Sequence, residues 1–207
     1  MTMTQTQPKL HDKDIREPLF DFLEETFGKV RILEEKQIAK VRSDIVMITP
    51  TLLYGIEIKS DADTYARLEK QVKYYNWYYD RNIIVVGSSH AGHVAEHVPE
   101  WWGIISVEQK ADGTQDFYVL REAAENPRVK VKRKIQILWR PELNRLLEKN
   151  ALPKYKEKSK EFVQEKLLEK VAPEVLWPQA YEELFERDYG TIAQVIAEYK
   201  KNAKRKK

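Results

Sequence analysis

Asp44, Glu57 and Lys59 are the residues of this chain whose types and spacing suit hydrolysis of a phosphodiester. Two β-rich runs, Asp44 to Ile48 (D-I-V-M-I) and Leu52 to Lys59 (L-L-Y-G-I-E-I-K), are separated by Thr49, Pro50 and Thr51 and read as a hairpin. With Pro50 and Thr51 as its central pair, the position facing Asp44 is Glu57, and directly opposed Cβ atoms lie roughly 4.5–5.5 Å apart. Lys59, two residues beyond Glu57, shares its face by the period of a strand. Like charges so placed repel, and Asp is disfavoured in strands, so the pair needs a reason. A divalent cation supplies one: Mg2+ takes one or two carboxylates and leaves its other positions to water and phosphate oxygens. Asp44 and Glu57 are then metal ligands, and Lys59 stabilises a hydroxide nucleophile or the charge that builds up on the attacked phosphorus.

The elements that must hold these groups follow from periodicity. Leu19, Phe20, Phe22, Leu23 and Phe27 recur at helical spacing between Arg16 and Phe27, with Gly28 as a stop. Val30 to Val41 reads as a first strand. From Ser60 to Tyr79 the stripe Tyr65, Leu68, Val72, Tyr75, Tyr79 predicts an amphipathic helix, with Ser60 and Asp63 as a capping-box-like start. Ile83 to Val86 is a buried strand, so the segment from Leu52 to Val86 forms a strand, crossover helix and strand unit. Arg67, Gln71 and Tyr75 are spaced i, i+4, i+8 on one helical face. If that face looks over the strand ends, Gln71 supports the water or a metal ligand, Tyr75 packs beside it and Arg67 meets a phosphate.

These residues resemble the PD-(D/E)XK nuclease superfamily, with Asp44 as the first acid, Glu57-Ile58-Lys59 as the E-x-K element, and Gln71 and Tyr75 as the Q-x-x-x-Y motif of its RecB-like and Cas4-like branches. More narrowly, E-I-K-S-D-A-D-T, R-L-x-x-Q and V-V-G-S-S-H look like a small uncharacterised bacterial and phage family within it. The resemblance covers roughly residues 15 to 120. It implies a restriction-endonuclease-like α-β-β-β-α-β core, a mixed sheet flanked by helices, dependence on Mg2+ or Mn2+, and nucleic-acid cleavage. Arg42 and Ser43 stand where the name-giving pattern has proline. Such families often add a glutamate from the first helix or strand; Glu35, Glu34 and Glu17 are the candidates, Glu35 being preferred.

Beyond Val86, Ala95 to Trp102 reads as helical, and Gly103 to Val107 and Asp116 to Leu120 as strands. His90 follows Ser88 and Ser89 at a strand end, where ligand-binding loops of α/β sheets lie. It is a candidate phosphate contact or an exposed loop histidine. Trp101, Trp102, Tyr74, Trp77 and Tyr78 are candidates for stacking on bases or for the core. After Asn126 and Pro127 the composition shifts. Ile135 to Asn150, Ser159 to Val171 and Tyr181 to Tyr199 read as charged helices punctuated by Pro153, Pro173 and Pro178. Leu138 to Val171 is similar in outline to SAP-type DNA-binding motifs, and helical packing explains the same pattern. The organisation expected is a disordered leader over 1–14, a nuclease-like core over 15–125, a basic helical region over 126–199 and a basic tail over 200–207.

Composition limits the partners. The 207 residues are 42% hydrophobic, enough for one sizeable core, and hold no cysteine, which excludes disulfides, thiolate metal sites and a cysteine nucleophile. A cytoplasmic setting is expected, with no membrane span or signal peptide. The net charge of +3 is small, so its distribution matters more. Lys130, Lys132, Arg133, Lys134, Lys158 and Lys160 are candidates for nucleic-acid contact, together with the tail from Lys200 to Lys207. DNA is the expected partner, RNA is not excluded, and self-association is left open. The alternative function is a nucleic-acid-binding module that performs no chemistry.

Overall fold

The computed structural model describes residues 9–38 and 41–187, the side chains of residues 35–38 and of 41 excepted. A helix α1 (Asp12–Phe27) leads into β1 (Arg31–Ile38), β2 (Val41–Ile48) and β3 (Leu53–Lys59). Then come α2 (Leu68–Tyr78) and β4 (Arg81–Gly87), which completes the expected α-β-β-β-α-β order. β5 (Gly103–Gln109) and β6 (Gln115–Arg121) extend the sheet, whose six strands lie in sequence order. The pairs β3–β4 and β4–β5 are parallel and the other three antiparallel, so the sheet is mixed. Four helices follow: α3 (Val131–Lys134), α4 (Arg140–Lys149), α5 (Lys160–Lys170) and α6 (Pro173–Phe185).

The central strands are largely apolar, Glu57, Lys59, Arg81 and Asn82 apart, because both of their faces are covered. β3 is buried along its whole length. Alternation sends Tyr54, Ile56, Ile58, Ile83 and Val85 toward α1, where they meet Ile15, Leu19 and Leu23. Leu53, Ile84 and Val86 point the other way, into a cluster with Leu68, Tyr75 and Trp102. Leu143, Leu146, Val163, Leu167 and Leu184 of the C-terminal helices join that same cluster, so the sheet and those helices share one core. Among the described residues no helix is long and apolar enough to cross a membrane.

Several boundaries differ from the sequence reading. α1 begins at Asp12, four residues early, because the Asp14 carboxylate accepts the His11 N–H at 3.1 Å and caps the chain there. Val41 belongs to the second strand, not the first. That strand also takes in Arg42 and Ser43, since the Ser43 hydroxyl is satisfied 2.5 Å from the hydroxyl of Tyr79. Asp63 does accept from the Ser60 N–H (2.9 Å) and hydroxyl (2.7 Å), but this closes a turn, and the helix proper starts at Leu68 after a 3-10 turn. The segment around Ala95 forms short 3-10 turns rather than an α-helix. α6 starts at Pro173 and runs through Pro178, so those prolines open and sit inside a helix; a proline at the first helical position forfeits no bond. The expected leader up to residue 8, the part of the expected Tyr181 to Tyr199 helix beyond residue 187 and the basic tail from Lys200 lie outside the described residues.

Candidate active site

Ile45 faces Ile56 and Met47 faces Tyr54, which is the hairpin register expected from the turn at Pro50 and Thr51. The turn is fixed by Thr49, whose N–H reaches the Leu52 carbonyl at 3.0 Å and whose hydroxyl accepts the Leu52 N–H at 2.9 Å. One step beyond Ile45 and Ile56 the ladder gives way, and Asp44 Oδ2 accepts the Ile58 N–H at 3.0 Å in its place. Glu57 and Lys59 point to the α2 side of the sheet by alternation with Ile56 and Ile58. Glu57 is fully buried, Lys59 is 6% exposed, and the Asp44 side chain keeps 24% of its surface in solvent.

The Glu57 carboxylate organises the cluster. Its Oε1 accepts from Lys59 Nζ and Gln71 Nε2, and its Oε2 accepts from the Tyr75 hydroxyl at 2.8 Å. The Tyr75 oxygen in turn accepts the Asp44 N–H at 3.2 Å, so one phenol ties both acids to α2. Burial, and next the neighbouring Asp44, push the Glu57 carboxyl up to about 7 against the pull of Lys59. Asp44 is raised as well, chiefly by burial, which its bond from Ile58 and the nearby Lys59 oppose. A buried acid with a pKa near neutrality beside a second acid is the electrostatic mark of a functional site. Structural ion pairs can produce it too.

α2 reaches the strand because residue 55 is glycine. A Cβ there would stand 2.1 Å from Tyr79 Cδ2 and 2.7 Å from Tyr75 Cδ1, so the two rings lie directly on the strand backbone. Gly55→Ala is therefore expected to destabilise the protein by about 1–3 kcal/mol and to pull Tyr75 away from Glu57, read by denaturant unfolding. The loops leaving β3 and β4 are pinned together in a similar way. Asp61 Oδ1 accepts from the Ser89 N–H (3.0 Å) and hydroxyl (2.5 Å), and a Cβ on Gly87 would meet that oxygen at 2.3 Å. The S-D and G-S-S parts of the sequence motifs are thus structural supports of the site.

The other expected site residues are scattered, and only some of them reach the cluster. Gln71 and Tyr75 join Asp44, Glu57 and Lys59, while Arg67 stands exposed at the N-terminus of α2. His90 sits apart: its ring packs against Tyr65 with centroids 4.8 Å apart, and its carbonyl faces the Tyr65 hydroxyl at 3.4 Å. Glu34 is half-exposed and lies 3.7 Å from Arg16, Glu17 is exposed on α1, and the side chain of Glu35 lies outside the described residues. Of the basic candidates, Lys130, Lys132, Arg133 and Lys158 are exposed. Lys134 is not available to a partner: it is 6% exposed, paired with Asp80 at 2.5 Å and bonded to the Tyr181 hydroxyl at 2.6 Å. Lys160 is half-buried and donates to the Gln136 carbonyl at 3.1 Å, which ties α5 to the preceding turn.

Arg16 was missed by the sequence reading. Its Nη1 approaches the Asp44 carbonyl at 3.4 Å and its Nη2 lies 3.9 Å from Asp44 Oδ1, which brings α1 to the site. The local signal at Arg16 is its i,i+4 pairing with Asp12, at 2.8 Å, and this explains the residue without reference to Asp44.

Whether the cluster suits a cation can be judged from its donors. Gln71 Oε1 is buried beside Glu57 with no hydrogen-bond partner, an acceptor that lacks an electropositive neighbour. The Glu57 carboxylate, pushed up by burial and by the charge of Asp44, lacks the same thing. Among the described residues no group of three or more His, Asp or Glu side chains converges as a metal site. A pair of acids matches the few protein ligands that Mg2+ takes. The donor set fits a hard divalent cation entering from the Asp44 side.

No curated protein and no solved structure matches the chain. The family described as bacteriophage P4 protein cII matches residues 5–206, nearly the whole sequence, and the chain therefore belongs to that family.

Proposed function

We propose that this protein is a divalent-metal-dependent nuclease of the PD-(D/E)XK type that hydrolyses phosphodiester bonds in DNA. The observation that carries the reading is the convergence of Asp44, Glu57 and Lys59 at one strand end, with the Gln71 Oε1 acceptor left without a donor beside them. Asp44 and Glu57 would hold Mg2+ or Mn2+, which would supply a Lewis acid for the phosphoryl group and acidify water. Lys59, held against Glu57, is placed to stabilise the negative charge that develops on the phosphoryl oxygens. Gln71 and Tyr75 fix the Glu57 carboxylate through one oxygen each, which preserves its orientation when charge develops nearby.

A second reading has an observation of its own. Glu57 and Lys59 are buried and satisfy each other, as they would in a nucleic-acid-binding module that retains the fold without the chemistry. The two readings separate on purified protein incubated with supercoiled DNA, single-stranded DNA and RNA in Mg2+, Mn2+ or EDTA. The nuclease reading expects cleavage of a DNA substrate in Mg2+ or Mn2+ that EDTA abolishes. Binding without metal-dependent cleavage would establish the second reading instead.

A further inference from the structure

A basic and aromatic groove runs along the outer side of α2, away from the carboxylate cluster. It encloses about 730 Å3, and its lining includes Lys70, Lys73, Tyr74, Trp77 and Arg128 together with Glu69 and Pro99. The cations here are placed on aromatic rings. Lys130 Nζ stands 4.7 Å from the Trp77 ring centre, Lys73 Nζ 5.7 Å and the Arg133 guanidinium 5.9 Å. Arg128 lies 5.2 Å over Trp101, and Tyr74 meets Trp77 edge-on at 5.3 Å. Lys70, Lys73, Arg128, Lys130 and Arg133 are all exposed, and among the described residues none of them forms an ion pair.

Pairing varies over the rest of the surface: Lys132, Lys156 and Lys158 are exposed and, like the groove cations, have no ion pair among the described residues, whereas other lysines do. Lys110, Lys149, Lys154 and Lys166 each have a carboxylate partner within 2.8 Å. Around Trp77, by comparison, five positive charges gather with Glu69 as the one acid lining the groove. Such a surface lacks a polyanion, and its half-buried rings lack a stacking partner. Duplex DNA would satisfy the charges but offers no free base faces to the rings. A single strand satisfies both.

The groove also has a direction. Arg67, Lys70, Tyr74 and Trp77 step by three, four and three along α2, one stripe of the helix about 15 Å long. The adjacent stripe carries Gln71 and Tyr75, which hold Glu57. We infer that this groove binds single-stranded nucleic acid, with phosphates on Lys70, Lys73, Arg128 and Lys130 and bases against Trp77 and Tyr74. The strand then runs toward Arg67 and the carboxylate end of the sheet. This last step, delivery to the cluster, rests on the nuclease reading, whereas occupancy of the groove does not.

The test is binding, measured in EDTA so that cleavage plays no part. Full-length protein is titrated into a fluorescently labelled oligothymidylate about fifteen nucleotides long, at several salt concentrations, and followed by anisotropy. Three or four phosphate contacts predict that log affinity falls with log salt with a slope of about −2 to −3. The double exchange Lys73→Glu with Lys130→Glu, at two exposed positions, is expected to weaken binding at least about tenfold and to flatten the slope. Trp77→Leu is expected to weaken it about tenfold with the slope unchanged, since stacking is not a charge effect. The inference is overturned if the oligonucleotide does not bind, or if the lysine exchange leaves affinity and slope unchanged. It is equally overturned if duplex of the same length binds as tightly as the single strand. A protein that binds in this way but never cleaves would keep the groove and lose the nuclease reading.

Discussion

Lys59→Ala is expected to lower metal-dependent DNA cleavage by on the order of 10³-fold while the chain stays folded. Two effects add in the same direction. The first is loss of a compact cation beside the reacting phosphoryl group, in a buried site where such a charge is poorly screened. The second acts through Glu57, which is held down by Lys59 against burial and the charge of Asp44. Without the ammonium its carboxyl rises further and holds a proton at neutral pH, and that proton competes with a metal ion for the same oxygens. Breaking a buried ion pair ordinarily costs about 3–5 kcal/mol, because it strands a charge. Here the stranded group can neutralise, since Glu57 already titrates at about 7, so the variant is expected to remain folded below that pH. Cleavage by the variant at the wild-type rate, with circular dichroism showing both folded, would remove Lys59 from the chemistry.

The second large effect is on stability against pH. Glu57 has its folded pKa raised from 4.5 to about 7, so between those values the folded protein keeps a proton that the unfolded chain has released. The associated stability is fully present below about pH 4.5 and is lost as pH climbs through about 7. The rise is worth about 3 kcal/mol. Asp44 shifts in the same direction and contributes to the same decline. Urea unfolding in EDTA at intervals between about pH 5 and about pH 8 should therefore show wild type weakening as pH rises. Glu57→Gln should remove most of that slope, because the amide has no proton to lose. Parallel curves for the two proteins would mean that Glu57 is already ionised well below neutrality. A bound divalent cation favours the ionised form, so added Mn2+ should stabilise wild type more at about pH 8 than at about pH 6.

Much of the site could be read from local spacing, since each step depended on a short-range rule. The turn at Thr49 to Leu52 set the register, and register set the approach of Asp44 to Glu57. The period of two carried Lys59 to the same side, and the period of 3.6 put Gln71 and Tyr75 on one helical face that does meet Glu57. What stayed hidden was long-range. Lys134 sits in a basic run that looks solvated, and nothing in the run reveals Asp80, 54 positions away, or Tyr181, which together bury it. Nothing local marks Gly55 as special, because the rings of Tyr75 and Tyr79 that lie across it come from 20 or more positions away. The proline at 178 looked like a stop, yet the helix holding it is buried by Leu176, Ala180 and Leu184, and tertiary packing outweighs local propensity there.

The burial of the C-terminal helices also alters how the basic clusters are understood. Lys134 and Lys160 act as internal ties between helices and the sheet, and the charge available to a partner lies instead at Lys130, Arg133 and Arg128, around Trp77 and Trp101. Charge on the page of a sequence and charge on a surface are different quantities. Of the five aromatic residues offered for either core or stacking, Trp102 and Tyr78 are buried in the core, whereas Tyr74 and Trp77 line the groove and, like Trp101, also pack against that core.

The most direct measurement of the central claim is anomalous scattering from crystals of the protein soaked in Mn2+. The account predicts a single strong peak within bonding distance of carboxylate oxygens of both Asp44 and Glu57, and its loss in Glu57→Gln crystals treated alike. A map with no peak there, or with Mn2+ bound elsewhere while Lys59 still occupies Glu57, would contradict it.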